Sequence, residues 1–287
     1  ALTPITLPVT ALLAWAWVGG HLGLPALGAV GAAHATATAS WLGALLMLAM
    51  VLTLPRASAR GVRDWSGAAL RRALAGVPGL AWFGLMPAIG STLELAGFAW
   101  LMVLSTQLGA AAAGGFQAML GLHNLVFALS IGFGSAAGVR VGNAVGAGER
   151  DAAWPRAMIA GALAILVLGL LSLVLIAFAR PLIAPFSDDP EVRLLGASML
   201  AILAPFLVFD GLQYVFGAAL RSLGEQVWAG FNGIAGFFLI TGGGGWLLVR
   251  SGWGADGLAY AAGVGMLACA LLHFARLAWV LRRPGRS

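Results

Sequence analysis

PGLAWFGLMPAIGSTLELAGFAWLMVLSTQLG, residues 78–109, is an apolar run long enough to cross a bilayer, and it carries one acid, Glu94, near its middle. No other charge stands between Arg72 and Arg140, so a transmembrane reading puts this carboxylate at mid-membrane depth. An isolated ionised acid there is costly; it must face protein or water, find a cation, or hold a proton. The pattern occurs a second time. Asp210, in LLGASMLAILAPFLVFDGLQYVFGAAL, is the sole charge between Arg193 and Arg221. Two acids on separate apolar helices read as the expected parts of an ion-coupled site.

The rest of the chain agrees with a membrane reading. Of 287 residues, 61% are hydrophobic and 9% charged, and the mean hydropathy of +0.95 is outside the range of soluble domains. The expected fold is all-α, a polytopic bundle of about eight membrane-spanning helices with no soluble domain between them. The helices are expected at 2–19, 26–54, 77–108, 113–138, 156–179, 194–220, 227–249 and 256–281. A short surface helix is expected over Asp64–Leu74, bends are expected at Pro78 and Pro87, and Pro205 lies five residues before Asp210.

The net charge of +6 comes from arginine alone, and its placement carries the meaning. Taken by alternate loops, one side holds Arg56, Arg60, Arg63, Arg71, Arg72, Arg140, Arg150, Arg156, Arg221, Arg276, Arg282, Arg283 and Arg286. The other holds only Arg180, Arg193 and Arg250. This asymmetry assigns the first set to the cytoplasm, and with it both termini. Arginines at helix ends are explained by orientation and by anionic lipid headgroups, so the bilayer is the expected partner and nucleic acid is not. Cys269 stands alone in an apolar run, so no internal disulfide forms.

An internal repeat adds to the helix count. Gly28-Ala29, Gly31 and Ala33 match Gly254-Ala255, Gly257 and Ala259 at an offset of 226, and both following helices run on to an arginine. If the repeat is real, its first copy begins roughly 150 residues before Ala1. A parent of roughly 440 residues with about twelve helices in two parallel lobes is then expected, with a binding site between the lobes. The domain reading is 1–55 for the last two helices of a first lobe, 56–76 for a cytoplasmic linker and 77–283 for a complete six-helix lobe.

Once placed on these helices, GFGSAAGVRVGNAVGAGE (132–149), STLELAGFAW around Glu94, Gln117, and GAALRSLGE (217–225) resemble the multidrug and toxic compound extrusion (MATE) family of secondary exporters. The resemblance implies a MATE-like C-terminal six-helix lobe plus the last two helices of the N-terminal lobe, working by alternating access. It further implies efflux of amphipathic, often cationic compounds against proton or sodium entry, in a bacterial inner membrane. Neither a cofactor nor an enzymatic activity is implied. By the same resemblance, Glu94 and Asp210 form the site for the coupling proton or sodium. Gln117 lies near the central cavity, and Asp188 and Asp189 match an acidic pair that faces cationic drugs in some members. Phe206 stands where some members carry a tyrosine near the cation, which leaves proton coupling as open as sodium coupling.

The plainer alternatives are structural. Buried acids can be neutralised by protonation, and Gln117, His123, Asn124 and His34 can serve as interhelical bonding groups. Asp188 and Asp189 can be a solvated turn. GNAVGAG lacks a Lys-Ser/Thr and a preceding strand, so it is read as ending the fourth helix, with Arg140 at the helix C-terminus, and not as a phosphate loop. The glycines at 242–245 permit either close packing or local unwinding. A lipid-linked sugar flippase would line its cavity with arginines. An intramembrane aspartyl protease would need both carboxylates on one water.

Overall fold

The computed structural model describes residues 3–55, 61, 64 and 66–282. Arg56, Arg60, Arg63, Arg283 and Arg286, on which the charge asymmetry partly rests, lie outside the described residues. The described chain is helical almost throughout, and seven of its helical segments are long and apolar enough to span a membrane. An eighth apolar helix, α1 (Thr3–Gly19), is 17 residues long. The chain divides into two compact units, Ala1–Pro78 and Gly79–Ser287.

The first unit pairs α1 with α2 (Gly28–Thr53) through a tight connection. Gly31 lets the two backbones touch: a β-carbon there would lie 2.5 Å from the Trp17 carbonyl oxygen. The repeat legible in the sequence has a structural counterpart. Gly28 opens α2 at φ +53°, and Gly254 opens the last helix at φ +56°. Gly257, the partner of Gly31, likewise sits where a β-carbon would press, at 3.0 Å, on Leu248 and Trp253 of the preceding segment.

The third helix differs from expectation. α3 runs from Gly67 to Gln107, 41 residues without interruption, so the surface helix expected at Asp64–Leu74 and the Glu94 helix are one element. Its hydrogen-bonded winding continues through Pro78 and Pro87, so neither proline breaks it. Ser66 starts it by accepting the Ala69 N–H, and the Asp64 carboxylate accepts the Ser66 N–H.

The second unit continues with α4 (Ala110–Gly146), α5 (Ala153–Ala177), the short α6 (Ala179–Ile183), α7 (Pro190–Leu203) and α8 (Leu207–Ser222). After them come α9 (Gln226–Gly233), a π-helical segment Ile234–Gly243, α10 (Gly244–Arg250) and α11 (Gly254–Arg282). The glycine motif does not stop the fourth helix near 138. α4 runs through it to Gly146 and turns at Gly148, which adopts φ +79°. Arg156, not Arg140, reaches a carbonyl there: it donates to Arg140 O at 3.1 Å and pairs with Glu149 at 2.9 Å.

Apolar burial drives little helix association in lipid, so contact depends on close packing. α8 lies at the centre, against α4, α5 and α11, around fully buried Phe116, Met119, Leu168, Leu200, Leu207 and Leu258. A second seam is glycine-lined. A β-carbon on Gly97 of α3 would lie 2.3 Å from the Phe237 carbonyl oxygen, and one on Gly236 would lie 2.7 Å from Cys269 Cβ. The 242–245 glycines serve both expected purposes. Gly242 and Gly243 end the wider π winding, and Gly245 packs so closely that a β-carbon would strike Leu101.

Candidate functional site

Pro205 positions the second acid. It lies in a 3-10 turn, Ala204–Phe206, that separates α7 from α8, and Ser172 of α5 donates to the Ala204 carbonyl at this break. Asp210 follows in the first turn of α8, where the helix dipole favours a negative group. Its side chain is 1% exposed. Gln213 Nε2 donates to Oδ1 at 3.4 Å, and His123 Nε2 of α4 lies 3.9 Å from Oδ2.

The surroundings of Oδ2 are polar but incompletely bonded. Asp210 Oδ2, both ring nitrogens of His123 and Ser130 Oγ are buried without a hydrogen-bond partner among the described residues. The Ser130 hydroxyl faces the carboxylate without completing a bond. Phe98 and Phe127 close over His123, with ring centroids at 5.6 and 5.8 Å. A proton or a small cation arriving at these unbonded polar atoms would change the local bonding. Among the described residues, no three His, Cys, Asp or Glu side chains converge as a metal-binding set.

Glu94 is brought to the same region by Tyr214, one turn beyond Asp210 on α8. The Tyr214 hydroxyl lies 3.3 and 3.4 Å from the two Glu94 carboxylate oxygens. The acids therefore sit on either side of one helical turn, each with its own partners. Glu94 and Tyr214 also line a cavity of about 270 Å³ with Ser91, Gln213, Arg221 and His273. His273 of α11 places Nδ1 3.1 Å from the Gln213 carbonyl and Nε2 3.2 Å from the Ala229 carbonyl.

Other expected site residues lie elsewhere. Gln117 is exposed on α4 and does not line this cavity. Asp189 caps α7, accepting the Glu191 N–H at 2.8 Å, while Asp188 pairs with Arg193 at 3.0 Å. Both acids thus have local structural roles. The Phe206 ring seats on Gly263 of α11. Asn124 is exposed, and His34 is exposed with its ring edge toward Trp17. Tyr214, Gln213, Ser130 and His273 were missed in the sequence because uncharged polar residues in apolar helices usually join helices. The helical spacing of Asp210, Gln213 and Tyr214 was the available signal.

The fold and site define a polytopic α-helical membrane protein with two interior acids held by one central helix. A family model described as MatE matches residues 87–241, and the chain belongs to that family. The chain is 28% identical over 289 residues to "Multidrug resistance protein MdtK" of Edwardsiella ictaluri (strain 93-146), covering 98% of this chain and 61% of the relative. It is 32% identical over 281 residues to "Multidrug resistance protein NorM" of Burkholderia vietnamiensis, covering 94% and 58%. It therefore spans about three fifths of the length of these curated relatives. The eukaryotic MATE transporter AtDTX14 superposes with a TM-score of 0.82 at 22% identity, over 97% of this chain and 60% of that one. The bent form of the Vibrio cholerae MATE transporter VcmN gives 0.73 at 21%, over 98% and 61%. These two solved structures share the fold.

Proposed function

We propose that this chain forms part of a secondary exporter in which amphipathic, often cationic compounds leave the cell as protons or sodium ions enter. The carrying observation is the Glu94 carboxylate bonded by Tyr214, one helical turn along α8 from the buried Asp210, inside a bundle of membrane-spanning helices. Ionisable groups in such segments mark ion pathways. A cation that binds them with different affinity in two conformations shifts the balance between those conformations, which alternating access needs. The Pro205 break supplies a place for α8 to move relative to α7.

In this reading, residues 77–283 form one six-helix lobe, 1–55 the last two helices of the other, and 56–76 the cytoplasmic linker. The parts of the relatives that this chain does not cover supply the remainder of the facing lobe. Gln117, Asp188 and Asp189 enter only as candidates for contact with substrate. Both termini face the cytoplasm, and the bacterial relatives point to an inner membrane. Neither catalysis nor a cofactor has a part in this scheme.

The test is dye efflux from vesicles containing a chain extended to the length of its relatives, driven in turn by a proton gradient and a sodium gradient. Glu94→Gln and Asp210→Asn should each insert normally. Each is expected to lose about tenfold or more of the driven efflux, since bonds to charged groups contribute roughly 1.5–3 kcal/mol. Unchanged efflux in both variants would remove the assigned roles.

A further inference from the structure

The cavity beside Glu94 is lined by residues spread along α8, α9 and the π-helical segment. At one end it is lined by Arg221, in the last turn of α8, and Gln226, the first residue of α9, on either side of the loop between these helices. At the other end it reaches Glu94, Gln213 and Phe237. About 16 Å of helix axis separates Gln226 from Phe237 at the helical rise. That is roughly half the hydrocarbon thickness of a bilayer, about 30 Å. Gly230 and Gly233 leave one wall without side chains.

Arg221 is half-buried, and no ion pair engages it among the described residues. A guanidinium at the mouth opposes entry of a hydrated metal cation and favours the ionised form of an acid deeper in. The titratable and charged groups around Glu94 are Asp210, Tyr214 and Arg221 of α8, and Cys269 of α11. His273 of α11 also lines the cavity, and His123 of α4 faces Asp210 behind it. Neither α9 nor the π segment contributes a titratable group.

We propose that this cavity is a cytoplasmic proton exit from Glu94, contained within the second unit, with Arg221 as the counter-charge that Glu94 meets on ionising. Glu94 passes its proton to water in the cavity, and the proton leaves past Gln226 to the cytoplasm. The inference rests on the exporter reading and on its orientation of the helices. It adds an ion route lined by residues of one unit alone.

The test is cysteine accessibility in oriented membrane vesicles, on a Cys269→Ala background, with a membrane-impermeant thiol reagent. Ala147→Cys and Ser251→Cys, in loops at opposite ends of the bundle, report insertion and sidedness. Cysteine labelling follows thiolate exposure, so Ala229→Cys, buried and lining the cavity, should react about tenfold or more faster from the cytoplasmic face than from the other. Adding Gln226→Trp at the mouth should slow that reaction severalfold. Labelling from the opposite face, from both faces or from neither overturns the proposal, as does a rate unaffected by Gln226→Trp. Labelling requires no transport, so absent efflux with the expected labelling counts against the exporter reading alone. In an active protein, Arg221→Gln should displace the cytoplasmic-pH profile of efflux and Arg221→Lys should preserve it; identical profiles for all three overturn the role of Arg221.

Discussion

Tyr214 is the residue that ties Glu94 to the helix carrying Asp210. Glu94 was visible as a lone charge, but its only close side-chain partner among the described residues is a phenol 120 positions later in the chain. Tyr214→Phe keeps the ring, including its edge contact with Phe127 at 5.2 Å, and removes the hydroxyl. A hydrogen bond to a charged group contributes about 1.5–3 kcal/mol, so driven efflux should fall about tenfold with little change in thermal stability. Equal losses of stability and efflux would show that the hydroxyl only holds the helices together. Outside the membrane, bonds from Ser66 hold the Asp64 carboxyl below the usual carboxylate range. Its stabilising effect is therefore present above the ordinary carboxylate value and is lost as pH falls through the lowered one. Asp64→Asn should remove this acid dependence, as read by melting curves across pH, without affecting efflux.

Among the elements, α3 and the π-helical segment meet backbone to backbone at Gly97. A β-carbon there would strike the Phe237 carbonyl, a rigid neighbour. Gly97→Val should destabilise the bundle by about 1–3 kcal/mol, the usual effect of overpacking, seen as a lower apparent Tm in detergent. Gly84→Val, on the same helix where nothing lies within 4 Å, should leave Tm nearly unchanged. The Pro205 break makes a different prediction. Pro205→Ala restores a backbone donor and lets α7 and α8 join, so stability should hold or rise while driven efflux falls. Reduced stability would assign the proline to packing.

For the whole molecule, the outward surface is decisive. In the second unit Leu80, Trp82, Leu95, Leu125 and Leu173 are each about two thirds exposed or more, while Asp210, Gln213, His123, Ser130 and His273 are buried. Such a surface is stable only against lipid or detergent. The chain should remain in the membrane pellet after alkaline carbonate washing, and its release into the soluble fraction would contradict the spanning assignment.

Composition and hydropathy determined the helical membrane class, the approximate spans and the two acids, because a bilayer demands long apolar segments and makes each interior charge conspicuous. The small-residue repeat was legible for a related reason: only glycine suits the left-handed starts of α2 and α11 and the close contacts that follow. Tertiary structure alone decided which polar groups meet. The partners of Asp210 and Glu94 come from α4 and α8 at large sequence separations, and uncharged residues such as Tyr214 and Ser130 carry no distinguishing hydropathy signal. The π winding was likewise decided by tertiary packing, since Gly236 within it lies against Cys269 and Gly265 of α11 where a β-carbon would not fit.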